Sequence, residues 1–84
     1  MKVLYFGDLK DITLKREEII EVESIKIGTL KNLLSEKYPL LKESFLKDEI
    51  RIILNGKDYS FTGRDETLVS KGCEVALFSP VGGG

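Results

Sequence analysis

Apolar residues recur along this chain with two different periods, and the change of period predicts most of the elements. Lys2 to Phe6 (Lys-Val-Leu-Tyr-Phe) is short and rich in β-formers, with Val3 and Tyr5 on one side and Leu4 and Phe6 on the other. Apolar side chains on both sides suit a strand inside a sheet rather than at its edge. Gly7-Asp8 ends it, and Leu9 to Lys15 fits either a short helical turn or a loop. Glu18 to Glu23 alternates imperfectly through Ile19, Ile20 and Val22 and predicts a second, more exposed strand, antiparallel to the first. From Thr29 to Tyr38 the period lengthens. Leu30, Leu33, Leu34 and Tyr38 make one apolar stripe, with Lys31, Asn32, Ser35 and Glu36 outside it, as in an amphipathic helix. Gly28 or Thr29 can cap its start and Pro39 stops it, while Leu41, Phe45 and Leu46 in the stretch Leu40 to Lys47 are expected to cover one end of the core. Ile50 to Leu54, Asn55-Gly56 and Lys57 to Phe61 predict a β-hairpin, because Asn-Gly supplies the two positive-φ residues of a type I′ turn. After the polar Gly63 to Glu66 and a turn at Ser70-Lys71-Gly72, Glu74 to Phe78 reads as a final strand with apolar residues on both sides.

The predicted order is strand, strand, helix, strand, strand, strand. The first and last strands, apolar on both sides, belong near the middle of the sheet. One main helix over a mixed four- or five-stranded sheet is an α+β arrangement that resembles the β-grasp fold of ubiquitin. Residues 1–79 are expected to form the domain and 80–84 a flexible tail. With a single main helix, only one sheet face can be covered. Val75 and Leu77 should meet the helix, leaving Ala76 with Phe78 and Leu4 with Phe6 uncovered, and an uncovered apolar patch marks a partner surface.

Composition narrows the chemistry. The 84 residues carry 14 acidic and 13 basic side chains, a net charge of −1, no histidine and one cysteine, Cys73. A chain of this size buries only about 60% of its unfolded surface, so one small core is expected. Without histidine the commonest general base and metal ligand is missing, and one cysteine makes neither a disulfide nor a thiolate metal cluster. No basic stripe suggests nucleic-acid binding, and no apolar run approaches the roughly 20 residues of a membrane span. Met1-Lys2 runs straight into a strand without a secretory apolar region, which predicts a cytoplasmic protein. The cluster Glu17, Glu18, Glu21 and Glu23 lacks the spacing of a calcium loop and is expected as a solvated face. Lys10, Arg51 and Arg64 are candidates for steering an acidic partner.

The last segment, Ser79-Pro80-Val81-Gly82-Gly83-Gly84, holds three of the eight glycines at its end. Glycine loses the most backbone entropy on ordering and buries no side chain, and Pro80 prevents a strand from continuing, so the segment predicts a flexible arm. Its chemical asset is the α-carboxylate of Gly84, on residues slim enough to thread a narrow channel.

Lys2-Val3-Leu4-Tyr5-Phe6, Asn55 at the close of the third strand, and above all Glu74-Val75-Ala76-Leu77-Phe78-Ser79-Pro80-Val81-Gly82-Gly83-Gly84 resemble the small subunit of molybdopterin synthase, a ubiquitin-like sulfur carrier. The resemblance implies that an adenylyltransferase related to ubiquitin-activating enzymes uses ATP to activate the Gly84 carboxylate. Sulfur transfer would then form a thiocarboxylate that donates sulfur in the active site of the large synthase subunit, toward the molybdenum or tungsten cofactor. It implies no bound cofactor and no enzymatic activity for the chain alone. Its partners would be those two proteins, with neither nucleic acid nor membrane among them. Phe6, Phe78, Pro80, Val81, Gly82 and Gly83 would meet the large subunit. Val3, Tyr5 and the helix leucines are expected as core. Three residues depart from the family pattern: Ser79 stands where a first proline is usual, Gly82 where a residue such as Thr or Ala is usual, and Cys73 where Asp is common. Carriers for thiazole or tRNA thiolation, ubiquitin-like protein modifiers, and a plain binding module with an inert tail share these features.

Overall fold

A computed structural model describes residues 1–79. The tail positions Pro80, Val81, Gly82, Gly83 and Gly84 lie outside the described residues. Within the described part, the elements run β1 (Lys2–Tyr5), α1 (Leu9–Thr13), β2 (Glu17–Ile19), β3 (Ser24–Lys26), α2 (Ile27–Lys37), α3 (Pro39–Leu46), β4 (Arg51–Leu54), β5 (Lys57–Asp58), β6 (Leu68–Ser70) and β7 (Glu74–Phe78). Five strands form one mixed sheet in the order β2-β1-β7-β4-β5, and β3 and β6 pair separately. The two strands with apolar residues on both sides, β1 and β7, lie side by side and parallel at the centre, in register Val3 to Val75 and Tyr5 to Leu77.

The core lies on one face of this sheet. Val3, Tyr5, Ile52, Leu54, Val75 and Leu77 from the strands pack with Ile27, Leu30, Leu34, Leu41 and Phe45 from α2 and α3. Burying each such side chain contributes about 1.5–3 kcal/mol, which is why one helix stripe and alternate strand positions suffice to hold a domain of this size together. Pro39 does more than stop α2. It stands in the first turn of α3, where its missing N–H has no helical partner to lose.

Five expectations shift in the structure. Leu41 and Phe45 join the core, but Leu46, expected beside them, keeps 77% of its surface exposed. The main helix begins at Ile27, two residues early, because the Thr67 carbonyl accepts the Ile27 N–H at 2.9 Å and replaces a side-chain cap. Gly28 falls inside that helix, where a Cβ would stand 3.2 Å from the Asp65 side chain, so the absence of a side chain permits the close approach. The run Glu18 to Glu23 is not one strand: β2 ends at Ile19, the Val22 N–H turns back to Ile20 at 3.2 Å, and the chain re-emerges as β3 to pair with β6. The strand expected over Lys57 to Phe61 stops at Asp58, whose side chain accepts the Ser60 N–H at 2.9 Å and draws Tyr59–Phe61 into a 3-10 turn. Such a local side-chain bond offers the backbone an alternative to the sheet ladder. The hairpin turn itself is as the sequence predicts, with Asn55 at φ 47° and Gly56 at φ 87°.

Candidate partner interface

The uncovered face of the large sheet can be built row by row from the strand registers, since directly paired residues point to the same side. One row runs Glu17, Leu4, Ala76, Ile53 and Asp58 across β2, β1, β7, β4 and β5. The next places Phe78 opposite Arg51. Phe6 continues the side of β1 that carries Leu4, and its N–H donates to the Leu77 carbonyl at 3.0 Å, extending the ladder by one bond. Phe6 and Phe78 therefore meet: their rings stack 4.6 Å apart at an interplanar angle of 7°. Phe6 keeps 39% of its surface exposed, Ile19 keeps 55%, and Leu4, Ile53, Ala76 and Phe78 are half-buried. Neither phenylalanine belongs to the core cluster. Val75 and Leu77, on the alternate side, do, as the sequence pattern predicts.

The aromatic pair sits at the close of β7. Phe78 closes β7 and Ser79 is the last described residue. A Cβ on Gly7 would lie 3.6 Å from the Ser79 carbonyl, so the turn after Phe6 runs against Ser79. Of the expected site residues, the structure thus brings Phe6 and Phe78 together on the open face, while Pro80 to Gly84 fall outside the description.

Charges frame the patch. Lys2 pairs with Glu17 at 3.7 Å, and the Arg51 Nε donates to Asp58 at 3.1 Å. The Asp58 carboxyl is held below the usual carboxylate range, first by the Ser60 backbone N–H and then by the Ser60 and Arg51 side chains. Two of the three steering candidates are occupied within the fold. Arg51 is held by Asp58, and Arg64 donates to Asp48 at 3.1 Å and lies 5.0 Å from the Tyr59 ring centre. Lys10 is exposed, and beside it is Arg16, a residue the sequence did not single out.

The acidic cluster dissolves. Glu17, Glu21 and Glu23 are exposed, but Glu18 is 7% exposed and turned inward, so the expected solvated face is corrected at that position. Glu18 Oε1 accepts the hydroxyls of Tyr5 at 2.8 Å and Tyr38 at 2.7 Å, and Oε2 accepts the ammonium groups of Lys15, at 3.4 Å, and Lys37. The Tyr5 hydroxyl is pushed well above an ordinary phenol, first by burial and then by Tyr38. This network ties β1, β2 and the end of α2 together behind the open face. Its signal in the sequence is faint, for a charged residue in an alternating run is ordinarily placed outside. Asn55 has a second role beyond its turn: its Oδ1 accepts the Glu74 N–H at 3.0 Å, fastening the hairpin to the start of β7. Cys73 is half-buried against the core, its Sγ 3.9 Å from the Glu74 carbonyl. Among the described residues no group of three or more His, Cys, Asp or Glu side chains could hold a metal ion, and no helix is long and apolar enough to cross a membrane.

A mixed sheet with β1 and β7 parallel at its centre, helices over one face and an aromatic pair on the other defines a ubiquitin-like β-grasp protein. The chain belongs to the ThiS family, whose sequence model matches residues 3–84. The molybdopterin synthase sulfur carrier subunit of Caenorhabditis briggsae is 28% identical over 85 residues, covering 100% of this chain and 96% of that protein. Among solved structures, the small archaeal modifier protein 1 of Methanosarcina acetivorans superposes with a TM-score of 0.78 at 27% identity, covering 99% of this chain and 94% of that one. Urm1 of Sulfolobus solfataricus superposes with a TM-score of 0.67 at 26% identity, covering 94% of this chain and 99% of that one. The β-grasp fold and the resemblance to the small subunit of molybdopterin synthase, both read from the sequence, are borne out.

Proposed function

We propose that the protein is a sulfur carrier of molybdenum or tungsten cofactor biosynthesis, working as the small subunit of a molybdopterin synthase. The observation that carries this reading is the stacked Phe6–Phe78 pair on the uncovered sheet face, at the end of β7 and next to the glycine-rich tail in the sequence. A partner seated on that face receives the following segment directly into its own active site. The full-length match to a sulfur carrier subunit supports the assignment.

The chemistry follows from the end group. A carboxylate is a poor electrophile, so the Gly84 carboxylate first attacks the α-phosphorus of ATP in a ubiquitin-activating-enzyme-like adenylyltransferase, forming an acyl-adenylate and releasing pyrophosphate. Hydrosulfide then adds to the acyl carbon and expels AMP to leave the thiocarboxylate. Its sulfur attacks the pterin precursor within the large subunit, and water cleaves the resulting thioester, leaving sulfur on the pterin and restoring the Gly84 carboxylate. Acid–base groups are supplied by the partners, and this chain contributes a docking face and a reactive end. Co-expression with the adenylyltransferase and a sulfur source, followed by intact-mass spectrometry, is expected to show the increment of one oxygen replaced by sulfur. No increment, where a known carrier in parallel is modified, overturns the reading.

The likeness to a small archaeal modifier protein favours a second use of the same end, an isopeptide bond from the Gly84 carboxylate to a lysine. High-mass conjugates on a denaturing gel that vanish when Gly84 is deleted are its expected signature.

A further inference from the structure

The thirteen lysines and arginines are unequally engaged. Among the described residues, Lys2, Lys15, Lys26, Lys31, Lys37, Lys47, Arg51 and Arg64 each meet a carboxylate within 4.0 Å. Lys10, Arg16, Lys42, Lys57 and Lys71 do not. Two of these five, Lys10 and Arg16, line one depression of about 340 Å³ together with Leu4, Tyr5, Phe6 and Glu17. The backbone holds both in place: the Lys10 N–H donates to Gly7 at 3.2 Å in the turn after Phe6, and the Arg16 carbonyl accepts the Tyr5 N–H at 2.9 Å. Glu17 shares the depression, but it faces Lys2. The floor is continuous with the open face through Leu4 and Phe6. On the opposite flank the cation of that face, Arg51, is neutralised by Asp58.

We propose that Lys10 and Arg16 form a recognition site for a carboxylate side chain of the large synthase subunit docked on the open face, one presented beside an apolar residue that contacts Phe6. The proposal rests on the carrier reading above and adds to it the chemistry of the partner surface. In a protein of net charge −1, two cations that meet no carboxylate within 4.0 Å among the described residues, at the margin of an apolar patch, give a docking surface its orientation. A charge pair at one side selects the rotation that delivers Ser79 and the following residues toward the partner's active site.

The test measures binding of the full-length protein to the large synthase subunit at low and high salt. Lys10→Glu combined with Arg16→Glu is expected to weaken binding about 10-fold or more at low salt and to flatten the salt dependence. The milder Lys10→Gln with Arg16→Gln should fall between that variant and the wild type. Lys57→Glu with Lys71→Glu makes the same change of charge outside the depression and should stay within about 2-fold of wild type. If both double charge reversals weaken binding equally, only net charge matters and the site is refuted. If the Lys10/Arg16 variants bind as wild type while Phe78→Ala does not, the carrier reading stands and this site falls. Failure of the wild-type protein to bind the large subunit overturns the carrier reading and the site with it.

Discussion

Replacing Glu18 by alanine removes a buried acceptor shared by two phenols and two ammonium groups. The magnitude follows from what is left behind. The described residues contain no buried side-chain nitrogen or oxygen without a partner, so the wild type starts from full satisfaction. Tyr5 is 1% exposed, and its hydroxyl then has no acceptor, at a penalty of about 1–3 kcal/mol. Tyr38 is half-buried and its hydroxyl can turn to water, so its loss is smaller, about 0.5–1 kcal/mol. Together Glu18→Ala is expected to destabilise the domain by about 1.5–4 kcal/mol, and at about 4–8 °C per kcal/mol for a domain of this size its melting temperature should drop by more than about 6 °C. Glu18→Gln keeps an oxygen for the tyrosines and should retain roughly half of that stability. Thermal unfolding followed by circular dichroism, with Tyr5→Phe and the double mutant completing a cycle, isolates the Tyr5–Glu18 bond. A melting temperature within about 3 °C of wild type for Glu18→Ala, or additive single mutants, refutes the reasoning. The cycle has a pH signature. Because folding raises the Tyr5 pKa, the associated stability is complete below the unfolded value of about 10 and is lost as pH rises toward the folded one. Tyr5→Phe should therefore lose less stability than wild type between neutral and strongly alkaline pH.

Two further outcomes are expected. Phe78→Ala should weaken binding of the large subunit by more than about 1 kcal/mol, roughly fivefold, while the domain stays folded, because the ring lies outside the core and its stack with Phe6 contributes only about 0.5–1.5 kcal/mol beyond area burial. Collapse of the thermal transition would place the ring in the core, and unchanged affinity by calorimetry would refute its part in docking. Asn55→Ala should cost about 2 kcal/mol in urea unfolding, from a positive φ that alanine tolerates poorly and from the lost bond to the Glu74 N–H; a loss below about 0.5 kcal/mol contradicts both causes.

Much of the fold was legible because its signals are local. The stripe Leu30, Leu33, Leu34 specifies a helix, Asn55-Gly56 specifies a turn, and strands apolar on both sides belong in the middle of a sheet. The candidate interface was legible for a related reason: alternation within β1 and β7 assigns Phe6 and Phe78 to the side that one helix cannot cover. The missed features are those in which a distant partner overrides a local preference. Glu18 sits inward although Ile19 beside it is 55% exposed, because the two tyrosine hydroxyls lie 13 and 20 residues away in the chain. A strand of only three residues has too few apolar contacts to set its own register against them. Likewise β3 and β6 carry weak strand patterns and become strands by pairing with each other.

By itself, then, the sequence determined the element types, the inner and outer side of each central strand, and the glycine-rich end that carries the proposed chemistry. Each of these depends on neighbours within a few positions. Only the tertiary structure decided that the rings of Phe6 and Phe78 stack, that Glu18 turns inward, and that Arg51 and Arg64 are engaged while Lys10 and Arg16 meet no carboxylate within 4.0 Å among the described residues. The stack of Phe6 on Phe78 exists only once the parallel contact of β1 with β7 sets residues far apart in the chain side by side, and the other pairings likewise need strands and helices brought together by the fold.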